Sequence, residues 1–443
     1  MKQSSGMFVQ QLNDARPSVR MQAIEAVGKL IQSKQLQRDV LKEVNNHVHT
    51  TYSFSPYQPA AAAFEAWKAG LGIVGAVDHD SMGGALEMLE ASQAFGLGAT
   101  VGFEVRTSLL DSPFANRKIN NPDSEGIIYM CVHGVPRNAI AKTQDFLAPI
   151  RLERSKRNKK QTEQLNTLLA KTSLGPLDYD TDVVPLSLYN EGGTVTERHI
   201  LSALVKKILK RTGKGEPFVR LLQTELEVSL TPQIQALLLD PTNIHYEYDA
   251  LGVLKSELLN RFFIQPNPKE SIPTTTVLAY ADSIGAISAY AYLGDITFSV
   301  TADKRAEHFE DSFLDELIPY LAQIGFKAVT YMPPRNTKEQ MARVQQLCRQ
   351  HTLMQISGVD INSSRQTFNC PELLDPQARH LIDAAWALVA HEKLVDYNAD
   401  WGLFSANNPL AFDKRIATYA ALGQKMDCFH PESIIDLATK ELR

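Results

Sequence analysis

Three apolar runs in the first quarter of the chain each end on residues that bind metals, and this limits the chain to a few architectures. The runs close on His47–Val48–His49–Thr50, on Asp78–His79–Asp80 and on Gly102–Phe103–Glu104. Alternate strand residues face the same way, so His47 and His49 project together and Val48 turns to the packing side. Each histidine-bearing run is followed by a helix-like stretch. That is the wiring of a parallel βα array, where ligands gather beyond the carboxyl ends of the strands. With 11 His in 443 residues, chance alone gives about 0.3 His-x-His triplets, so the triplet by itself decides little. Its company at successive strand ends decides more, and implies a buried metal cluster with nitrogen and oxygen donors.

The same alternation organises the rest of the chain. Residues 1–40 hold two short helical patterns broken at Asp14–Ala15–Arg16–Pro17–Ser18. Such a hairpin cannot bury its own apolar face and must dock on the main body or on a second subunit. Residues 41–135 carry the first barrel part, and 108–126 within them read as a long loop near the metal site. Long helical stretches over 136–270 interrupt the alternation and read as an insertion or cap. Strand–helix alternation resumes over 271–370, and 371–443 is a helical end segment. The expected fold is therefore α/β, a distorted (β/α)7-type TIM-like barrel with a helical cap and a small amino-terminal hairpin.

Composition sets bounds on partners. A net charge of −5 argues against sequence-independent binding to nucleic acid or to an anionic membrane. Four scattered cysteines without Cys-x-x-Cys spacing read as free thiols. No run is long and apolar enough for a signal peptide or membrane span. The expected compartment is the cytoplasm, and homo-oligomerisation is left open.

The order HVHTTYS, AVDHD, GFE resembles the PHP (polymerase and histidinol phosphatase) superfamily, most densely over residues 44–106 and again over about 277–365. A closing element resembling the family's S-D-x-H lies at Ser357–Gly358–Val359–Asp360–Ile361–Asn362. The resemblance implies His47, His49, His79, Glu104 and Asp360 as ligands. It also implies two or three divalent ions (manganese, zinc or iron, with magnesium a further choice) and hydrolysis of phosphate esters. Three departures stand out. Phe54 replaces an expected aspartate, Tyr292 an expected histidine, and Asn362 the last histidine. At least one ion position is then altered, and Asp295, Asp303 and His308 are candidates to compensate.

Further candidates come from strand and helix ends. His133 ends the run Ile127–Val132 and is a candidate ligand. His199, in Thr196–Glu197–Arg198–His199–Ile200, resembles the family's R-P-H-x-A helix start and is a candidate substrate contact. Lys304, Arg335 and Arg365 follow strand ends and suit an anionic substrate, since guanidinium groups hold two phosphate oxygens at once. Arg151, Arg154 and Arg157 lie in a basic helical stretch that reads either as a phosphate-attracting cap face or as a solvated surface. The expected activity is metal-dependent hydrolysis of a small phosphorylated substrate by activated water. His79 and Glu104 would serve the reaction directly, and Asp78 would orient a ligand or move a proton. The alternatives are a degenerate domain that binds a phosphorylated ligand without turnover, and an amidohydrolase-like enzyme acting on a non-phosphate bond.

Overall fold

The computed structural model describes residues 2–295 and 308–442, with side chains from residue 6. Two helices open the chain, α1 (Lys2–Leu12) and α2 (Pro17–Gln32). Pro17 suits the first helical turn, where its missing N–H leaves no bond unmade. Leu12, Ala23, Ile24 and Val27 are buried in the main core. Arg20 reaches from α2 to Glu87, pairing at 2.7 Å with almost no exposure. The hairpin therefore docks on the barrel.

The barrel begins with β1 (Val44–Val48), α3 (Pro59–Lys68), β2 (Ile73–His79), α4 (Ala85–Phe95), β3 (Gly98–Ser108) and β4 (Ile127–His133). The cap follows with α5 (Ile140–Leu169), α6 (Glu197–Thr212), α7 (Glu216–Thr224), α8 (Pro232–Leu239) and α9 (Tyr246–Phe262). From Leu165 to Phe262 the cap builds a hydrophobic core of its own. The chain then returns with α10 (Thr274–Ser283), β5 (Ile287–Ala291), α11 (Leu314–Ile324), β6 (Ala328–Tyr331), α12 (Lys338–Gln350) and β7 (Met354–Ser357). Helices α13 (His380–Tyr397), α14 (Phe412–Lys425) and α15 (Ile434–Glu441) complete it.

The strands pair in chain order from β1 to β7, giving a nearly closed seven-stranded barrel. Closure rests on a parallel bridge between Val48 and Ile361. The amide of Asn46 also donates to Ser357 O at 3.1 Å, and Asn45 Oδ1 accepts from Val359 N at 2.9 Å. Gly358 makes the seam tight: a Cβ there would stand 2.5 Å from the backbone nitrogen of His47. Any larger residue would displace the strand that carries the first two histidines.

One strand departs from the expected parallel array. β4 runs antiparallel to both β3 and β5. The long loop after β3 explains this, because an antiparallel pair needs no crossover helix. His133 thus ends its strand opposite Ile287, the first residue of β5, and one pair beyond Val132, which faces Phe103 of β3.

Candidate metal centre

Alternation along β1 and its extension puts His47 and His49 on one side, their ring centroids 5.2 Å apart. His79 closes β2 and stacks on His49 at 4.6 Å. Glu104 lies beside His79 in the β2–β3 register. All three imidazoles converge on one oxygen, Glu104 Oε2: His79 Nδ1 at 3.2 Å, His49 Nε2 at 3.5 Å and His47 Nε2 at 3.7 Å. Asp360 Oδ1 stands 3.4 Å from His49 Nε2. Among the described residues, the donors of His47, His49 and Glu104 all lie within 4.8 Å of one another.

These separations can be tested against metal chemistry. Donors at about 2.0–2.2 Å from one divalent ion stand roughly 3–3.6 Å apart in tetrahedral or octahedral geometry. Hydrogen-bonded groups would sit closer, and His79 Nδ1 is buried with no hydrogen-bond partner. Burial, then the charges of His49, Arg154, Arg106 and Arg198, holds His79 well below the usual histidine range. Burial likewise lowers His49. Both rings are therefore neutral, the form that binds a metal. The donor set fits a divalent ion. The cluster opens outward at His79 and Asp360, whose side chains are 26% and 32% exposed.

A relay of hydrogen bonds fixes the β1 end. Asp78 accepts from Thr50 N and Thr50 Oγ1, both at 2.6 Å, and from Ser53 Oγ at 2.6 Å. Ser53 Oγ in turn lies 3.3 Å from His49 Nδ1. These bonds suit Asp78 to the orienting role expected of it. Partners that orient a metal-binding histidine are typically worth 10–100-fold in affinity. Asp78→Asn is expected to weaken metal binding by about that factor, read by titration with Mn2+, and unchanged affinity would contradict the relay.

Most of the other predicted residues find partners in the barrel and the cap. His133 is buried with Nε2 unpartnered, and burial, then the charge of His47, lowers its pKa to about 3. Cys131 pairs with Glu104, so His133 two residues on shares the interior face of β4 and lies within electrostatic reach of His47, although its nitrogens are not among the closely converging donors. Arg365 closes its fork on Asp249 of the cap, Nη2 lying 2.6 Å from Oδ2. Arg335 Nε donates to Leu293 O at 3.1 Å. Lys304 and Asp303 lie outside the described residues. His308 and Asp295 pair with each other at 2.9 Å. Tyr292, in the place of the expected histidine, donates to Asp311 at 2.6 Å.

Beside Tyr292, the Glu310 carboxyl is fully buried. Its Oε1 accepts from Leu293 N at 2.7 Å and Tyr290 Oη at 3.1 Å, and burial raises its pKa from 4.5 to about 7. A carboxyl raised on folding contributes stability below its unfolded value and loses it as pH climbs through the folded one. Wild-type protein is thus expected to lose urea resistance relative to Glu310→Gln between about pH 5 and about pH 8. A constant gap between the two would contradict a raised carboxyl.

The basic stretch of α5 behaves as neither expected reading had it. Lys156, Lys159 and Lys160 face outward, whereas Arg151, Arg154 and Arg157 are buried at 8%, 2% and 4% exposure. Arg157 forks onto Glu270 at 2.6 and 2.7 Å and also meets Glu197 at 2.7 Å. Arg154 pairs with Asp80, and Arg151 donates to Asp80 O at 2.9 Å. Asp80 itself sits at φ +50° directly after His79, a left-handed turn that aspartate tolerates better than most residues.

Arg106 joins this network and was not anticipated, although strand alternation places it on the same face as Glu104, two residues before it. It donates to Tyr129 Oη at 2.8 Å and Glu197 Oε1 at 2.9 Å. Its Nη1 is buried, has no hydrogen-bond partner and stands 3.7 Å from Glu270. Burial pushes the Glu197 carboxyl up, but Arg106, Arg157 and Arg154 outweigh it and hold the group well below the ordinary range. Three guanidinium groups, of Arg106, Arg154 and Arg157, thus face three carboxylates, of Asp80, Glu197 and Glu270, and Arg151 joins them through the Asp80 carbonyl. Arg198 adds a further charge, bonded to Asn362 Oδ1 at 2.6 Å. Guanidinium groups thus lie close to the imidazole and carboxylate donors.

No protein-family model matches the chain, and no curated protein matches it either. Several solved structures match the chain, among them the following two. One, from Bifidobacterium adolescentis, is described as a candidate metal-dependent phosphoesterase; it is 20% identical, covers 77% of this chain and 96% of its own, with a TM-score of 0.49. The other is an amidohydrolase from Chromobacterium violaceum with bound sulfate and no metal; it is 14% identical, covers 74% and 90%, with a TM-score of 0.48. The chemistry of the site rests on its own donor geometry. Among the described residues, no helix is long and apolar enough to cross a membrane.

Proposed function

We infer that the protein is a metal-dependent hydrolase of small phosphorylated substrates. The observation that carries this reading is the convergence of three imidazoles on Glu104, with the guanidinium groups of Arg106, Arg154 and Arg198 within electrostatic reach of His79. His47, His49, His79 and Glu104 would hold a divalent ion, with Asp360 adding an acidic oxygen on the open side. Such an ion, when bound, supplies Lewis acidity toward a phosphoryl oxygen and a water acidic enough to attack at neutral pH.

The chain's own residues supply the rest. Arg106 offers a buried N–H without a hydrogen-bond partner, and a planar guanidinium matches phosphoryl oxygens in geometry and charge. Arg154 and Arg198 add positive field in a site partly shielded from water, where charge interactions are strong. Asp78, through Ser53, keeps His49 aimed. The cap limits the size of what enters.

A panel of phosphomonoesters, phosphodiesters and amides, tested with Mn2+-loaded protein, separates the readings. Expected are hydrolysis of phosphoesters and competition by inorganic phosphate. Cleavage of amides without phosphate inhibition would overturn the reading, as would a fully metal-loaded protein inert toward every phosphoester.

A further inference from the structure

Resting on the phosphohydrolase reading, we propose that the cavity between the β1–α3 loop and the cap is the specificity pocket of the site and accepts a planar aromatic ring carried by the phosphorylated substrate. The cavity measures about 370 Å³, within the size range of small-molecule sites. Phe54, Ser55, His199, Ser202, Tyr248 and Leu251 line it.

Three rings form its walls. Phe54 meets His199 edge-on at 5.0 Å and Tyr248 at 6.0 Å. Aromatic faces and edges carry opposite partial charge, so a planar guest gains from offset or edge-on packing beyond its burial. Phe54 is also the residue that takes the place of an acid in the family pattern, so the chain exchanges a ligand for a wall at this position.

The polar groups suit a neutral guest. His199 sits in the capping box of α6, where its Nδ1 accepts from Thr196 N at 2.9 Å. The ring proton then belongs on Nε2, available as a donor in the cavity. Ser55 and Ser202 can donate or accept. The charged residues of the lining, Lys206 and Glu247, are half exposed and neutralise each other at 3.2 Å. Nothing in the lining calls for a second phosphate.

The pocket adjoins the cluster. Phe54 follows Ser53, which touches His49. Arg198 lies 5.9 Å over the Phe54 ring and donates to Asn362 Oδ1 at 2.6 Å, and the Asn362 amide donates in turn to Asp360 Oδ1 at 2.6 Å. A phosphoryl group at the arginines thus leaves its substituent facing the rings.

Calorimetric titration of Mn2+-loaded protein with phenyl, cyclohexyl and methyl phosphate tests this, with turnover of each recorded separately. Phenyl phosphate is expected to bind on the order of tenfold more tightly than methyl phosphate and more tightly than cyclohexyl phosphate. Tyr248→Ala should collapse the phenyl preference and Tyr248→Phe should keep it. Ser202→Leu, which fills the cavity, should collapse it without removing a core ring. Equal binding of phenyl and methyl phosphate, equal binding of phenyl and cyclohexyl phosphate, or a preference surviving both Tyr248→Ala and Ser202→Leu would overturn the proposal. Absence of turnover alongside intact phenyl preference would remove the hydrolase reading and leave the pocket standing.

Discussion

His49→Ala protein is expected to purify without its divalent ion and without turnover. His49 Nε2 is the hub of the cluster, 3.5 Å from Glu104 and 3.4 Å from Asp360, with His79 stacked on its ring. Removing it takes away one donor and the partner that separates the two carboxylates. Groups that merely orient a ligand are worth 10–100-fold, so loss of the ligand itself should cost more than about a hundredfold in metal affinity. The ring faces the site and not the apolar packing, so circular dichroism should be unchanged. Elemental analysis beside a turnover assay reads the outcome. Retained activity at full metal content would contradict the assignment.

The second large effect concerns stability. Glu270 is 1% exposed, holds Arg157 through two bonds and lies within 3.7 Å of Arg106 and 3.5 Å of Arg154. Its removal takes one of three carboxylates from the buried guanidinium groups and leaves Glu197 and Asp80 to balance them. Breaking a buried ion pair from one side typically costs 3–5 kcal/mol, because the surviving charge stays desolvated. Glu270→Ala is expected to fall in that range, about 3–5 kcal/mol, read from the urea midpoint of the transition that exposes α5. Glu163→Ala, on the same helix but outside the network, should change little, as surface substitutions usually do. A midpoint for Glu270→Ala equal to wild type would show that the network is solvated.

Much of this arrangement was legible in the sequence because it follows from periodicity. Period-two alternation placed His47 beside His49, and strand–helix alternation placed His79 and Glu104 next to them. The same logic applied two residues past Glu104 would have found Arg106. Strand direction was less accessible: the apolar run ending at His133 reads the same whether parallel or antiparallel, and only the long loop before it hinted at reversal. The buried arginines of α5 were masked by the lysines interleaved with them, since their counter-ions Asp80, Glu197 and Glu270 come from distant parts of the chain. Arg365 illustrates the same limit, because its partner Asp249 belongs to the cap. Barrel closure through Asn45, Asn46 and Gly358 depends on contacts more than 300 positions apart, which no local pattern reports.

The most direct measurement is anomalous diffraction from crystals grown with Mn2+. An anomalous peak is expected at about 2.0–2.3 Å from Nε2 of His47, Nε2 of His49 and a Glu104 oxygen together. A map with no peak among these residues at full Mn2+ loading, or with the ion bound elsewhere, would contradict the metal centre and the chemistry built on it.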